Sequence, residues 1–145
     1  MIKIIVLGKT KEKYLKSGID DFINRINHFH KIEYVVLKDR ENINEEGKEI
    51  LERIDDEFVI VLDVFGKDCS SRLFAELIKK ECIEEGKKLV FILGSETGLS
   101  EDVKKKANLL LSLSKMTFTH EMARLILLEQ IYRAFNIIKG TGYHK

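Results

Sequence analysis

Three short segments carry residue types that could do chemistry. The chain ends in Gly140-Thr141-Gly142-Tyr143-His144-Lys145, a ring that can stack, a group that can share a proton and a cation that can pair with phosphate. Gly94-Ser95-Glu96-Thr97-Gly98 is a loop bounded by glycines, which let a backbone approach a ligand closely. A plain two-glycine turn fits that segment equally well. Leu111-Ser112-Leu113-Ser114-Lys115-Met116-Thr117-Phe118-Thr119-His120 is rich in small polar residues. It could offer backbone and hydroxyl hydrogen bonds to a flat ligand.

Other candidates carry less. Gly8-Lys9-Thr10 reads like the end of a phosphate loop, but Lys3 stands where that loop needs its first glycine. Lys9, Lys11 and Lys13 could still meet phosphates, or simply be solvated. His28-x-His30 has no third ligand in reach and reads as structural. Cys69 and Cys82 have no CxxC or Cys/His cluster around them and read as two reduced thiols. No metal site is expected. No Ser-His-Asp set, nucleophile elbow or carboxylate pair is present, so hydrolysis has no evident machinery.

These segments need elements to position them. Short apolar runs predict strands at Ile2–Leu7, Ile32–Leu37, Phe58–Leu62, Leu89–Leu93 and Leu109–Leu113. Helical spacing predicts helices over Lys11–His28, Asn44–Ile54, Ser70 or Ser71 to about Glu85, a short one after Ser100, and His120–Lys139. Strand and helix alternate throughout, which predicts an α/β domain with a mostly parallel sheet flanked by helices. The Gly94 loop then falls at the carboxyl end of a strand, where open α/β sheets bind ligands.

With 145 residues, 44% hydrophobic and 34% charged, the chain suits one domain, residues 1–145, with its own core. It has no proline and no tryptophan. No apolar run could span a bilayer, and the first residues reach charge too soon for a signal peptide, so a cytoplasmic protein is expected. The net charge is +1. Residues 41–63 hold nine acidic and two basic groups, so an RNA-facing surface must come from the two ends of the chain. The glutamates of that block read as the solvated face of one helix.

The last helix has apolar residues in nearly every direction, from Met122 to Ile138. A surface helix should keep one polar face. Too little chain remains to wrap this one, so a twofold homodimer through it is expected.

Taken together, these segments carry a resemblance. The run LSLSKMTFTHEMARLILLEQIYRAFNIIKGTGYHK resembles the C-terminal half of the ribosomal RNA large subunit methyltransferase H family. Leu62-Asp63-Val64-Phe65-Gly66-Lys67 followed by Ser70-Ser71 resembles that family's L-D-x-x-G-K-x-x-S-S segment. The resemblance runs in order from Met1 to Lys145. It implies a SPOUT-type fold with a C-terminal trefoil knot, a homodimer, and S-adenosylmethionine as methyl donor. It implies methylation of N3 of a pseudouridine in the helix 69 loop of 23S ribosomal RNA. The near-neutral charge points to the assembled ribosome rather than naked RNA.

Carried over by position, the resemblance implies a cofactor site of Leu62, Gly94, Ser95 and the run Leu113-Ser114-Lys115-Met116-Thr117-Phe118-Thr119. It implies Arg133 and His144 as catalytic residues; since N3 must lose a proton, His144 is expected to take or relay it and Arg133 to steady the charge on the ring oxygens. Tyr143, Lys145 and Lys9 would face RNA, with Lys115 a further phosphate contact. The family usually has glycine then proline at Ser95 and Glu96, and proline at Thr119; it often has proline at Gly142. Two other readings remain: a SPOUT methyltransferase for transfer RNA or another ribosomal site, and a non-catalytic dimeric module that binds a nucleoside-like ligand.

Overall fold

The computed structural model describes residues 1–145. Its elements, in chain order, are β1 (Ile2–Leu7), α1 (Lys13–Asn27), β2 (Ile32–Leu37), α2 (Ile43–Glu52), β3 (Phe58–Asp68), α3 (Ser71–Ile78), β4 (Leu89–Leu93), α4 (Glu101–Lys106), β5 (Leu109–Ser112) and α5 (His120–Lys139). The five strands form one sheet in the order β2-β1-β4-β3-β5, and every pairing is parallel. All carboxyl ends therefore share one edge.

Side-chain alternation divides the core into two layers. Ile2, Ile4 and Val6 of β1, with Leu89, Phe91 and Leu93 of β4, face α1, α3 and α5. Ile5, Leu7, Val90 and Ile92 face the opposite way, toward Ile50 of α2 and Val103 of α4. β4 is apolar at every position because both of its faces are covered.

The structure departs from the sequence reading in four places. First, β3 runs six residues beyond Leu62 to Asp68. Leu62 and Lys67 both pair with Leu111 of β5, so residues 63–66 loop out of the ladder as a bulge. Second, β5 stops at Ser112, and residues 113–119 are neither helix nor strand. Third, α3 ends at Ile78 and continues as widened π-helical turns over Lys79–Glu84. The widening turns two adjacent residues, Glu81 and Cys82, inward together. Fourth, Glu46 does not solvate α2. It is 1% exposed, and its Oε2 accepts the Arg40 N–H at 2.7 Å. Burial, with Asp39 beside it, raises its pKa.

α5 packs against both α1 and α3 with the sheet beneath. Every one of its residues but Lys139 is buried or half-buried within a single chain. These two helices cover part of its apolar surface, and Met122, Leu125, Ile126, Tyr132, Ile137 and Ile138 remain partly exposed.

Arg124 fixes α5 to the sheet edge. It is 1% exposed and donates to the carbonyls of Leu7 (2.7 Å) and Gly8 (2.9 Å) and to the Thr10 hydroxyl (3.0 Å). One turn earlier, Glu121 Oε1 accepts the backbone N–H groups of Lys11 (2.8 Å) and Glu12 (3.2 Å), tying the start of α1 to α5. Burial pushes the Glu121 carboxyl up, but those two donors, with His120 and Arg124, outweigh it and the net shift is downward. A depressed carboxylate stabilises the fold above the ordinary value of 4.5 and loses that contribution as pH falls through the lower folded value. Glu121→Gln is therefore expected to be less stable than the parent in urea at neutral pH. The gap should close as both are titrated down through the lowered Glu121 value.

Candidate active site

The bulge in β3 and the loops after β4 and β5 meet at the carboxyl edge and line an open cavity of about 650 Å³. That volume lies within the range of small-molecule sites, roughly 300–1,000 Å³. Of the ten residues expected to hold the cofactor, nine line it: Leu62, Gly94, Ser95, Leu113, Ser114, Met116, Thr117, Phe118 and Thr119. Lys115 does not; it is exposed on the outer side of the same loop.

Local chemistry explains each wall. Gly94 runs so close to Gly98 that a Cβ would lie 2.8 Å from the Gly98 carbonyl carbon and oxygen. Gly98, at φ +83°, closes the turn by donating its N–H to the Ser95 carbonyl at 3.0 Å. The Ser95 hydroxyl is engaged with Thr97 at 3.0 Å. Residues 113–119 lie outside any helix or strand, so their backbone groups are not tied into a ladder. Apart from the Ser114 and Thr119 carbonyls and the Met116 N–H, which are engaged locally, these groups can read the edge of a flat ring. Thr119 ends the segment by capping α5: its hydroxyl accepts the Met122 N–H at 3.2 Å, which a proline there could not do.

The cavity also holds residues the sequence reading did not single out. Asp63 lines it with Lys104, the two 3.8 Å apart. Glu96 and His120 face each other at 4.0 Å across its rim. Asp63 stood in a recognised motif; the Lys104 pairing depends on α4 lying beside β3, which no local pattern reveals. S-adenosylmethionine fits this donor set. Leu62, Leu113, Met116 and Phe118 supply apolar walls, the 113–119 backbone supplies hydrogen bonds, and Asp63 and Glu96 supply negative charge for a cationic ligand.

The second group of expected residues comes together elsewhere. Gly140 takes φ +72°, ends α5 and reverses the chain. The tail then folds back along the helix. Thr141 donates to Asn136 Oδ1 (2.6 Å), the Tyr143 hydroxyl donates to Glu129 Oε1 (3.1 Å), and Arg133 Nη1 donates to His144 Nδ1 (3.1 Å). Arg133 also pairs with Glu129 through Nε (3.1 Å) and Nη2 (2.6 Å) and lies over the Tyr143 ring. Glu129 raises the pKa of the Arg133 guanidinium. Burial first, then the Glu129 charge, pushes the Tyr143 hydroxyl up.

Arginine cannot accept a hydrogen bond, so His144 Nδ1 accepts here and the neutral ring carries its proton on Nε2. Ala123 is the last helical residue lining the cavity; Glu129 lies six residues, about 9 Å, further along α5 and Arg133 ten residues, about 15 Å. One chain does not bring the cavity and the tail together. Lys9 lies apart from both, exposed just past the end of β1.

The remaining candidates have ordinary surroundings. The His30 ring stacks on Phe135 and its Nε2 meets Cys82 Sγ at 3.2 Å. His28 Nδ1 contacts the Asn24 carbonyl at 2.8 Å. Both cysteines are free thiols, and no cluster of three or more His, Cys, Asp or Glu could hold a metal. No helix is long and apolar enough to cross a membrane.

Comparison with known proteins agrees with this architecture. Residues 1–144 match the family model described as a predicted SPOUT methyltransferase. A protein of Bacillus cytotoxicus named ribosomal RNA large subunit methyltransferase H is 45% identical over 157 residues, covering 99% of each chain. A protein of the same name from Caldicellulosiruptor saccharolyticus is 39% identical over 155 residues, covering all of both chains. Among solved structures, a probable methyltransferase from Bordetella pertussis has a TM-score of 0.58 at 10% identity, covering 92% of this chain and 95% of that one. A probable methylase family protein from Haemophilus influenzae has a TM-score of 0.57 at 14% identity, covering 99% and 70%. The parallel sheet, the cavity at its carboxyl edge and full-length similarity to these relatives lead to one assignment: the chain belongs to the ribosomal RNA large subunit methyltransferase H family of SPOUT methyltransferases.

Proposed function

We propose that this chain transfers a methyl group from S-adenosylmethionine to N3 of a pseudouridine in the helix 69 loop of 23S ribosomal RNA, within the large subunit or 70S ribosome. The observation that carries this reading is the cavity at the carboxyl edge, lined by nine of the ten residues expected at the cofactor. The substrate follows from relatives named for the large ribosomal subunit RNA along their whole length.

When bound, S-adenosylmethionine supplies an electrophilic methyl on a sulfonium, so the protein need only hold the acceptor in line. The acceptor is the harder part, because N3 of the ring must lose its proton. His144 takes or relays that proton, and Arg133 stabilises the charge left on the ring oxygens. In the free chain Arg133 occupies His144 Nδ1. Drawing Arg133 onto the substrate oxygens frees that nitrogen to accept a proton. Tyr143, Lys145, Lys9 and Lys115 serve RNA contact.

The working form in this reading is a homodimer of single domains, residues 1–145, located in the cytoplasm. In one chain the tail stops short of the cavity: Tyr143 reaches back to Glu129, about 9 Å along α5 from Ala123, and His144 to Arg133, about 15 Å from it. A twofold partner that brings its own tail to this cavity would complete the site. A trefoil knot is likewise part of the proposal. Its support is that α5, entered from the edge strand β5, returns past β3 and β4 to bond the end of β1 through Arg124.

The test uses labelled S-adenosylmethionine with large subunits lacking the modification, free 23S ribosomal RNA and transfer RNA in parallel. Label on the ribosomal particle above that on free RNA is expected. Label on transfer RNA alone would favour another SPOUT substrate. Binding of the cofactor with label on none of the three would favour a non-catalytic ligand-binding module.

A further inference from the structure

Phe65 is 93% exposed, the most exposed large apolar side chain of the fold. Its position is built rather than incidental. Residues 63–66 bulge out of the β3–β5 ladder and rejoin it opposite the residue where they left, Leu111. Asp63 Oδ1 accepts the Phe65 N–H at 2.9 Å, which fixes the turn. Gly66 closes it, running so near β5 that a Cβ there would lie 2.6 Å from the Leu110 carbonyl carbon. The residue before Phe65, Val64, lines the cavity and is itself exposed, as is Met116 across the mouth at 75%. The bulge thus holds a bare phenyl ring at the rim of the cavity.

We infer that Phe65 is a stacking platform for an unpaired base of the substrate RNA beside the methylated nucleotide. This rests on the proposed reaction. The surroundings favour RNA over a second copy of the chain. Lys67 is exposed two residues after Phe65 and Lys115 is exposed next to Met116, while Lys104 at the cavity wall is already paired with Asp63. Lysine is depleted at protein–protein contacts. An aromatic ring interleaved with lysines is instead the composition that grips single-stranded nucleic acid, the ring stacking on a base and the cations pairing with phosphates. Phe65 acts as a positioning residue: it holds the loop while other groups touch the reacting atoms.

The chain has no tryptophan, so Phe65→Trp introduces a single tryptophan at the rim, which can be excited apart from the four tyrosines. Its emission is expected to be that of a water-exposed indole in the free protein. It should be unchanged by dilution and quenched when a helix 69 RNA hairpin is added. Phe65→Ala is expected to raise the KM for ribosomes by about 5- to 100-fold. S-adenosylmethionine affinity and the oligomeric state should stay as in the parent, and Phe65→Tyr should restore the KM. Four results would overturn the inference. They are shielded emission in the free protein that is lost on dilution (a partner copy covers the ring), no quenching by RNA that the parent binds and methylates, a parental KM in Phe65→Ala, and loss of cofactor affinity in Phe65→Ala. If the parent neither binds nor methylates ribosomal RNA, the proposed reaction itself fails and this inference falls with it.

Discussion

His144→Ala lowers the single-turnover rate of methyl transfer on ribosomes by about 100- to 10,000-fold, the range of a lost general acid–base group, and leaves S-adenosylmethionine affinity unchanged. The split follows from position. His144 contacts Arg133, while the cavity begins about 15 Å away along α5. The ring can therefore serve the acceptor without touching the cofactor pocket of its own chain. Equal losses in rate and in cofactor affinity would place His144 in the pocket and contradict the assignment. The dimer makes a further demand. If each site joins one chain's cavity to its partner's tail, a His144→Ala chain mixed with a cavity-defective chain should regain activity. Equal mixing makes about half of the dimers hybrid, each with one intact site, so about a quarter of parental activity should return. No recovery after verified subunit exchange would confine the site to one chain.

The second large effect is at Gly94. Gly94→Ala raises the dissociation constant of S-adenosylmethionine at least about tenfold, equivalent to about 1.4 kcal/mol. The added Cβ would sit 2.8 Å from the Gly98 carbonyl carbon and oxygen and 3.0 Å from Leu99 Cγ. The Gly98 N–H to Ser95 bond closes the loop on that side, so backbone must move rather than a flexible side-chain end. Overpacking of this kind costs about 1–3 kcal/mol, and here the displaced atoms form the cavity wall. Ser95→Ala is the control. Its hydroxyl bonds only the neighbouring Thr97, so affinity should change by less than about 0.5 kcal/mol. Titration calorimetry reads both. Parental affinity in Gly94→Ala would mean that the ligand does not use this wall.

The frame of this site was legible where the physics is local. The strands Ile2–Leu7, Ile32–Leu37 and Leu89–Leu93 and the helix His120–Lys139 have the boundaries their apolar patterns predict. A buried strand followed by a glycine loop also placed Gly94 at the ligand-binding edge. What was not legible depends on neighbours. The bulge at residues 63–66 exists because both of its ends pair with Leu111, and no pattern within β3 encodes that. Glu46 looked like surface because its helix is otherwise acidic; its burial depends on the Arg40 backbone approaching it. The apolar girdle of α5 suggested a partner chain because the strand order that brings α1 and α3 to its two sides is absent from periodicity. The fold-back of the tail was not legible either. Its docking depends on Glu129 and Arg133 lying about three and two turns back along α5, where a left-handed Gly140 returns the chain to them. Thr119 departs from the family's proline, and the structure supplies the compensation, a hydroxyl cap for α5.

The central claim is that the cavity and the tail together methylate one ring nitrogen. The most direct measurement is mass spectrometry of nucleosides and mapped fragments from large-subunit RNA, after ribosomes lacking the modification react with this protein and S-adenosylmethionine. The account predicts one added methyl, on N3 of a single pseudouridine in the helix 69 loop, absent when His144→Ala replaces the parent for the same short reaction. A methyl on another nucleoside, or unmodified RNA from a folded protein shown to bind S-adenosylmethionine, would contradict it.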